Sequence, residues 1–164
     1  MSAATKRLGH HLLFLATLLL LIIPVSAQQK ATQSQLVGYW KLLSVDNVKP
    51  DGTRAPRHGA HPAGLLIFDN QGRYSLIVLT EGTPEEYKAA VEGNNADYGH
   101  YTVNEAEQSV TFFMDHASHP QLEGSSHTRY FTLKGDRLTY TTTKLSPEGK
   151  SKDTFGEVVL EKMK

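Results

Sequence analysis

The sequence predicts an all-β fold, an eight-stranded antiparallel up-and-down barrel with one short helix between strands three and four. Three observations carry this reading. Eight runs rich in Val, Ile, Leu, Thr, Tyr and Phe follow one another along the chain. Six of those runs pair off as hairpins with polar tips. Gly38-Tyr39-Trp40 sets the only Trp of the chain on the first run. Hairpins in chain order are what an up-and-down barrel needs, and closure removes the edges an open sheet would expose. A sandwich of two sheets is the rival, and sequential hairpins favour the meander.

Val37 to Val45 is the first strand. Asn47 to Pro62 is a long polar connection with three prolines, expected to loop across one end. Gly64 to Phe68 and Arg73 to Leu79 form a hairpin around Asp69-Asn70-Gln71-Gly72, where Gly72 can take the positive φ that closes the turn. Asp97 to Asn104 and Ser109 to Asp115 form a second hairpin, around Glu105 to Gln108. His127 to Leu133 and Arg137 to Thr143 form a third, around Gly135-Asp136. After the turn Ser146-Pro147-Glu148-Gly149, Thr154 to Met163 is the last strand. One segment departs from this pattern. Thr83 can cap, Pro84 suits the first helical position, and Glu86 can complete a capping box. Tyr87, Ala90 and Val91 then share a face, and Gly93-Asn94 stops the run, so a helix is expected over Pro84 to Glu92.

Residues 1–27 read as a signal peptide. Lys6 and Arg7 precede an apolar run from Leu12 to Val25, and Val25-Ser26-Ala27 offers small residues for cleavage. The run is about 14 residues, short of the roughly 20 that span a bilayer; an uncleaved anchor is the alternative. No Cys follows it, which excludes a lipid-anchored lipoprotein. Residues 28–164 are then one exported barrel domain, secreted or periplasmic, expected to be a monomer with no stable membrane insertion.

The cleaved chain would carry 15 basic and 17 acidic side chains. That near-balance gives no footprint for nucleic acid. With no Cys, disulfides, thiol nucleophiles and Cys-based zinc sites are excluded. There is no G-x-S-x-G elbow, P-loop, dinucleotide Gly-rich turn or H-E-x-x-H, and no catalytic residue or cofactor is assigned.

Pleat alternation sorts the strands into two faces. Leu133 and Leu138 flank the Gly135-Asp136 turn and share a side. Period two then sends Arg129, Phe131, Tyr140 and Thr142 inward, and leaves Thr128, Tyr130, Thr132, Arg137, Thr139 and Thr141 outside. The same logic turns Trp40, Leu42, Tyr74, Leu76, Val78, Tyr101, Val103, Val110, Phe112 and Met114 inward. An apolar interior with a few polar handles is the composition of a small-molecule site. The ligand contacts expected are Tyr74, Tyr101, Phe112, Met114, Arg129, Phe131 and Tyr140. Eight strands stand at the boundary between a filled interior and one that holds a ligand. The alternatives of a cavity and a packed core therefore both remain at this stage. The tyrosines read equally as core aromatics with bonded hydroxyls.

Several stretches resemble a known family. Gly38-Tyr39-Trp40 is similar to the G-x-W motif of lipocalins. Leu36-Val37-Gly38-Tyr39-Trp40-Lys41-Leu42, Gly64-Leu65-Leu66-Ile67-Phe68-Asp69 and Gly72-Arg73-Tyr74-Ser75 resemble the bacterial and fungal lipocalin-like domain family. Tyr98-Gly99-His100-Tyr101-Thr102-Val103 and Arg129-Tyr130-Phe131-Thr132-Leu133-Lys134-Gly135-Asp136-Arg137-Leu138 continue the match. The resemblance implies a calycin-type barrel with Gly38 and Trp40 as structural residues at its closed base. It gives Arg129 a second role, stacking on Trp40, beside contact with a ligand anion.

Two His pairs have metal-like spacing, His58 with His61 and His116 with His119, and His127 could approach the second. Loop pairs lack the fixed geometry of a helix, so no metal site is assigned. The expected function is binding of a small hydrophobic or amphipathic molecule in the barrel. The alternatives are an isomerase or cyclase that holds one substrate conformer in the same pocket, and a periplasmic metal-binding protein of calycin type.

Overall fold

The computed structural model describes residues 30–83 and 87–164. The signal-peptide reading of residues 1–27 lies outside them. In chain order the elements are α1 (Gln33–Leu36), β1 (Gly38–Val48), β2 (Arg54–Pro56), β3 (Ala63–Phe68), β4 (Arg73–Leu79), α2 (Tyr87–Gly93), β5 (Asn95–Asn104), β6 (Ser109–Ala117), a 3-10 turn over Pro120–Leu122, β7 (Ser126–Lys134), β8 (Arg137–Thr141) and β9 (Phe155–Lys162). All strand pairs are antiparallel. Strands β3 to β9 follow one another in space, and β1 pairs with both β3 and β9, which closes an eight-stranded barrel. The ninth strand, β2, is a short ribbon on Asp46–Val48 of β1.

Strand β1 closes the barrel because it has two partners on different stretches. Gly38–Lys41 pair with Leu65–Phe68 of β3, while Trp40–Val48 pair with β9 on the other edge. Leu42 stands opposite Leu160 and Ser44 opposite Val159, so Leu43 is an extra residue in the ladder. This bulge reverses the alternation of β1. Trp40 and Leu42 face inward below it, and Val45, opposite Val158, faces inward above it. A second bulge lies between Tyr98 and Gly99, opposite Asp115. There the backbone is so close that a Cβ on Gly99 would lie 2.0 Å from the Phe113 carbonyl oxygen.

The tight turns at 69–72, 105–108 and 135–136 all fall at one end of the barrel. Gly72 has φ 83, as its turn requires. This end is packed shut. Trp40 is 0% exposed, and its Nε1 donates to the Leu36 carbonyl at 2.7 Å. Lys162 Nζ stands 5.1 Å from the centre of the Trp40 ring and donates to the Gln35 carbonyl at 2.9 Å. The segment before α1 is tied down by Gln108, whose side chain accepts from Ala31 N and donates to Ala31 O, each at 2.8 Å. Phe68 meets Tyr101 edge-on at 4.7 Å, and Tyr101 Oη donates to the Asp69 carbonyl at 2.8 Å. The inward set expected from period two is this core: Trp40, Leu42, Tyr74, Val78, Tyr101, Val110, Phe112, Phe131, Leu138 and Tyr140 are all buried.

Several details differ from the sequence reading: β5 starts at Asn95 and β6 runs on to Ala117, each two residues beyond the expected bound, and Thr141, expected outside, is buried. Strand β1 runs three residues further, to Val48, because β2 forms inside the connection expected to be a loop. Helix α1 was not expected; a four-residue turn carries little periodicity. Its boundary is held by Thr32 N donating to Gln35 Oε1 at 2.8 Å. Strand β8 ends at Thr141, where the Thr141 hydroxyl turns to the Thr143 carbonyl at 2.7 Å. Helix α2 covers Tyr87–Gly93, and residues 84–86 of the expected capping box lie outside the described residues.

Gly99→Ala would drive a methyl into the β6 backbone. We expect it to lower the stability measured by urea unfolding by about 2 kcal/mol or more. Trp40→Ala should cost about 3–5 kcal/mol. A loss below about 0.5 kcal/mol in either variant, the size of an ordinary surface change, would contradict this packing.

Candidate functional site

The connections 49–62, 80–83 with 87–94, 118–125 and 142–154 gather at the opposite end of the barrel, and among the described residues that end is open. A cavity of about 530 Å³ enters the barrel there. Its apolar wall is Val45 of β1, Leu76 and Val78 of β4, Phe112 and Met114 of β6, Tyr140 of β8, Val158 of β9 and Leu122 of the 3-10 turn. The volume lies inside the range of about 300–1,000 Å³ usual for small-molecule sites. Below it, Phe112 packs against Tyr74 (4.8 Å between ring centres), Phe68 (5.8 Å) and Tyr140 (6.2 Å), which makes an aromatic floor.

The polar groups of the cavity stand on its strands and loops. Asp97 of β5 is 4% exposed. Its Oδ1 accepts from the Tyr74 hydroxyl and its Oδ2 from Asn95 Nδ2, both at 2.8 Å. Burial, reinforced by the Asp97 carboxylate, holds the Tyr74 hydroxyl far above the usual phenol range. Burial pushes the Tyr140 hydroxyl up to about 12. Arg129 of β7 lines the cavity, and its Nη1 donates to the Thr128 carbonyl at 3.0 Å. Burial lowers the pKa of its guanidinium, which at any ordinary pH still leaves it charged. His58 is held below the usual imidazole range by burial and by the neighbouring Arg57.

The family model described as a lipocalin-like domain matches residues 37–163. The chain belongs to the lipocalin-like domain family. A search of the curated proteins finds no match.

Within this lipocalin-like barrel the seven side chains expected at the ligand fall into two groups. Phe112, Met114, Arg129 and Tyr140 line the cavity. Tyr74 lies behind its wall, with its hydroxyl on Asp97. Tyr101 and Phe131 are packed at the closed end, where Phe131 N donates to the Gln108 carbonyl at 2.8 Å. The structural role that the resemblance offered Arg129 belongs to another residue: the cation over Trp40 is Lys162, because β9 delivers its last residues beside Trp40. Several lining residues were not anticipated. Asp97 was legible, since it continues the inward series 99, 101, 103 upward by one step. Val45 was hidden by the Leu43 bulge. Arg57 and His58 come from the long connection, where no alternation indicates direction.

The paired histidines separate. His58 Nδ1 hydrogen-bonds Thr80 Oγ1 at 3.0 Å, whereas His61 is exposed. His116 Nδ1 meets Glu123 at 3.3 Å, whereas His119 lines the cavity mouth. His127 Nε2 hydrogen-bonds Ser125 Oγ at 3.1 Å. Among the described residues no three His, Asp or Glu side chains are grouped so as to hold a metal ion. A second concavity of about 570 Å³ lies outside the barrel, between the 142–154 connection and the outer faces of β7 and β8. Its lining includes Lys134, Arg137, Lys144, Glu107 and Glu157, and it lacks the enclosed apolar wall of the first.

An unfolded tyrosine ionises near pH 10. Tyr74 and Tyr140 stay protonated in the fold beyond that point. Above about pH 10 the unfolded chain therefore releases protons that the fold retains, and stability should fall as pH rises toward about 12. Urea midpoints at about pH 9 and about pH 11.5 should show this decline, and Tyr140→Phe should make it shallower. An identical decline in the variant would contradict the burial of that hydroxyl.

Proposed function

We propose that this lipocalin-like protein is exported and binds a small hydrophobic or amphipathic molecule in the open-ended cavity of its barrel. The observation that carries this reading is the division of the lumen. One half is filled by Trp40, Phe68, Tyr101, Leu138 and Leu160, and the other half keeps about 530 Å³ free behind a mainly apolar wall. Burial of apolar ligand surface there would contribute roughly 25 cal/mol per Å². The aromatic floor limits how deep a ligand can enter, and the mouth connections set what can pass. Export is supported by the apolar run and small-residue exit of residues 1–27; N-terminal sequencing of secreted protein should begin at Gln28.

Binding is tested with a neutral fluorescent probe, N-phenyl-1-naphthylamine, and its displacement by long-chain compounds. Met114→Trp places a bulky ring in the cavity wall and should weaken probe binding by about tenfold or more, a loss of about 1.4 kcal/mol. The fold should survive, because Met114 is only partly buried. No uptake of the probe by the native protein, or equal affinity in a folded Met114→Trp variant, would contradict a ligand in this cavity.

A further inference from the structure

The charges around the cavity are unequally satisfied. Of its two carboxylates, Asp97 accepts hydrogen bonds on both oxygens, and Glu92 lies 3.8 Å from Lys88 on the same helix. Of its two guanidinium groups, among the described residues, Arg129 makes one hydrogen bond, to a backbone carbonyl, and Arg57 makes none through its side chain. Among the described residues neither has a carboxylate within ion-pair distance. A guanidinium carries five N–H donors. No fully buried side-chain nitrogen of the described residues is left without a partner, so the unbonded N–H groups of Arg129, a residue of the cavity lining, remain accessible. A guanidinium held in a half-enclosed apolar chamber with no ion-pair partner, under only the through-space pull of Asp97, favours an anion brought in by something else. Phe112, Met114, Tyr140 and Val158 form the apolar surface that shares the chamber with it.

From this pairing of an apolar chamber with a guanidinium that has no ion-pair partner we infer that the ligand is an amphipathic carboxylate. Its hydrocarbon body lies against the Met114 and Val158 wall, and its two oxygens accept from Arg129, with Arg57 adding positive potential at the mouth. Asp97 is not ion-paired with Arg129, and its bonds from Tyr74 and Asn95 fix the carboxylate in place. Its negative charge in the same chamber disfavours a second anionic group on the ligand. The inference rests on the cavity-binding reading above and specifies its ligand class.

The test uses the full chain without its first 27 residues and measures displacement of N-phenyl-1-naphthylamine by dodecanoate and by 1-dodecanol, both below their aggregation concentrations. The acid should bind at least about tenfold more tightly than the alcohol, since a hydrogen bond to a charged group is worth that much or more. In Arg129→Met the ratio should collapse toward one. Arg129→Lys keeps a point charge without the fork and should lower the ratio by several-fold; it serves also if the methionine variant does not fold. Equal binding of acid and alcohol by the native protein would overturn the carboxylate assignment while leaving the cavity reading intact. An acid preference that survives in folded Arg129→Met would overturn the role of Arg129. Failure of both compounds to displace a probe that does bind would overturn the inference, and failure of the probe itself to bind would overturn the cavity reading beneath it.

Discussion

Everything in this structure depends on one strand having two partners. Strand β1 gives its first four residues to β3 on one edge and nearly its whole length to β9 on the other. Without the β1–β9 ladder the sheet would be open, with two unpaired edges and a solvent-exposed apolar face. The ladder could not serve the lumen along its full length if β1 were regular. Val158 and Leu160 both face inward on β9, and β1 answers them with Val45 and Leu42, an odd number of residues apart. The extra residue Leu43 makes that match. A strand without the bulge would offer Ser44 to the lumen in place of Val45.

Closure also explains why the lumen has two characters. The end with short turns is sealed by the N-terminal strap, held through Gln108, and by α1, whose carbonyls receive the Trp40 indole and the Lys162 ammonium. Trp40 thus joins strap, barrel and last strand at one point. Among the described residues the end with long connections has no comparable plug. Its strands carry Val45, Leu76, Val78, Met114 and Val158 inward beside Phe112 and Tyr140, while Trp40 and Phe68 fill the sealed end with Leu138 and Leu160. The charged lumen residues Asp97 and Arg129 both stand in that open half. Asp97 accepts a hydrogen bond on each oxygen, whereas Arg129 retains free donors, and this asymmetry gives the chamber its chemical bias.

The architecture was largely legible in the chain because barrel strands announce themselves twice, by period-two alternation and by turn residues. Gly72 and Gly135 sit at positive φ where the hairpins require them. The inward residues Tyr74, Phe112, Phe131 and Tyr140 follow from counting outward from the turns. The site was less legible, for physical reasons that can be named. Alternation tells which face a residue occupies but not its depth, so Tyr101 and Phe131, at the packed end, looked the same as Met114 and Tyr140, at the open end. A bulge changes parity without a compositional mark, which concealed Val45. Loop residues such as Arg57 and His58 obey no period. The identity of the cation on Trp40 is a matter of which strand closes the barrel, and that is a long-range pairing between β1 and β9.

One half of the lumen is packed and the other half keeps a cavity. Methyl-resolved NMR during titration with N-phenyl-1-naphthylamine distinguishes the two halves. Large shifts are expected for the methyl groups of Leu76, Val78, Met114, Leu122 and Val158, with Leu36, Leu66, Leu138 and Leu160 nearly unmoved. Equal perturbation of both sets, or shifts confined to residues on the outer wall, would contradict this division of the lumen.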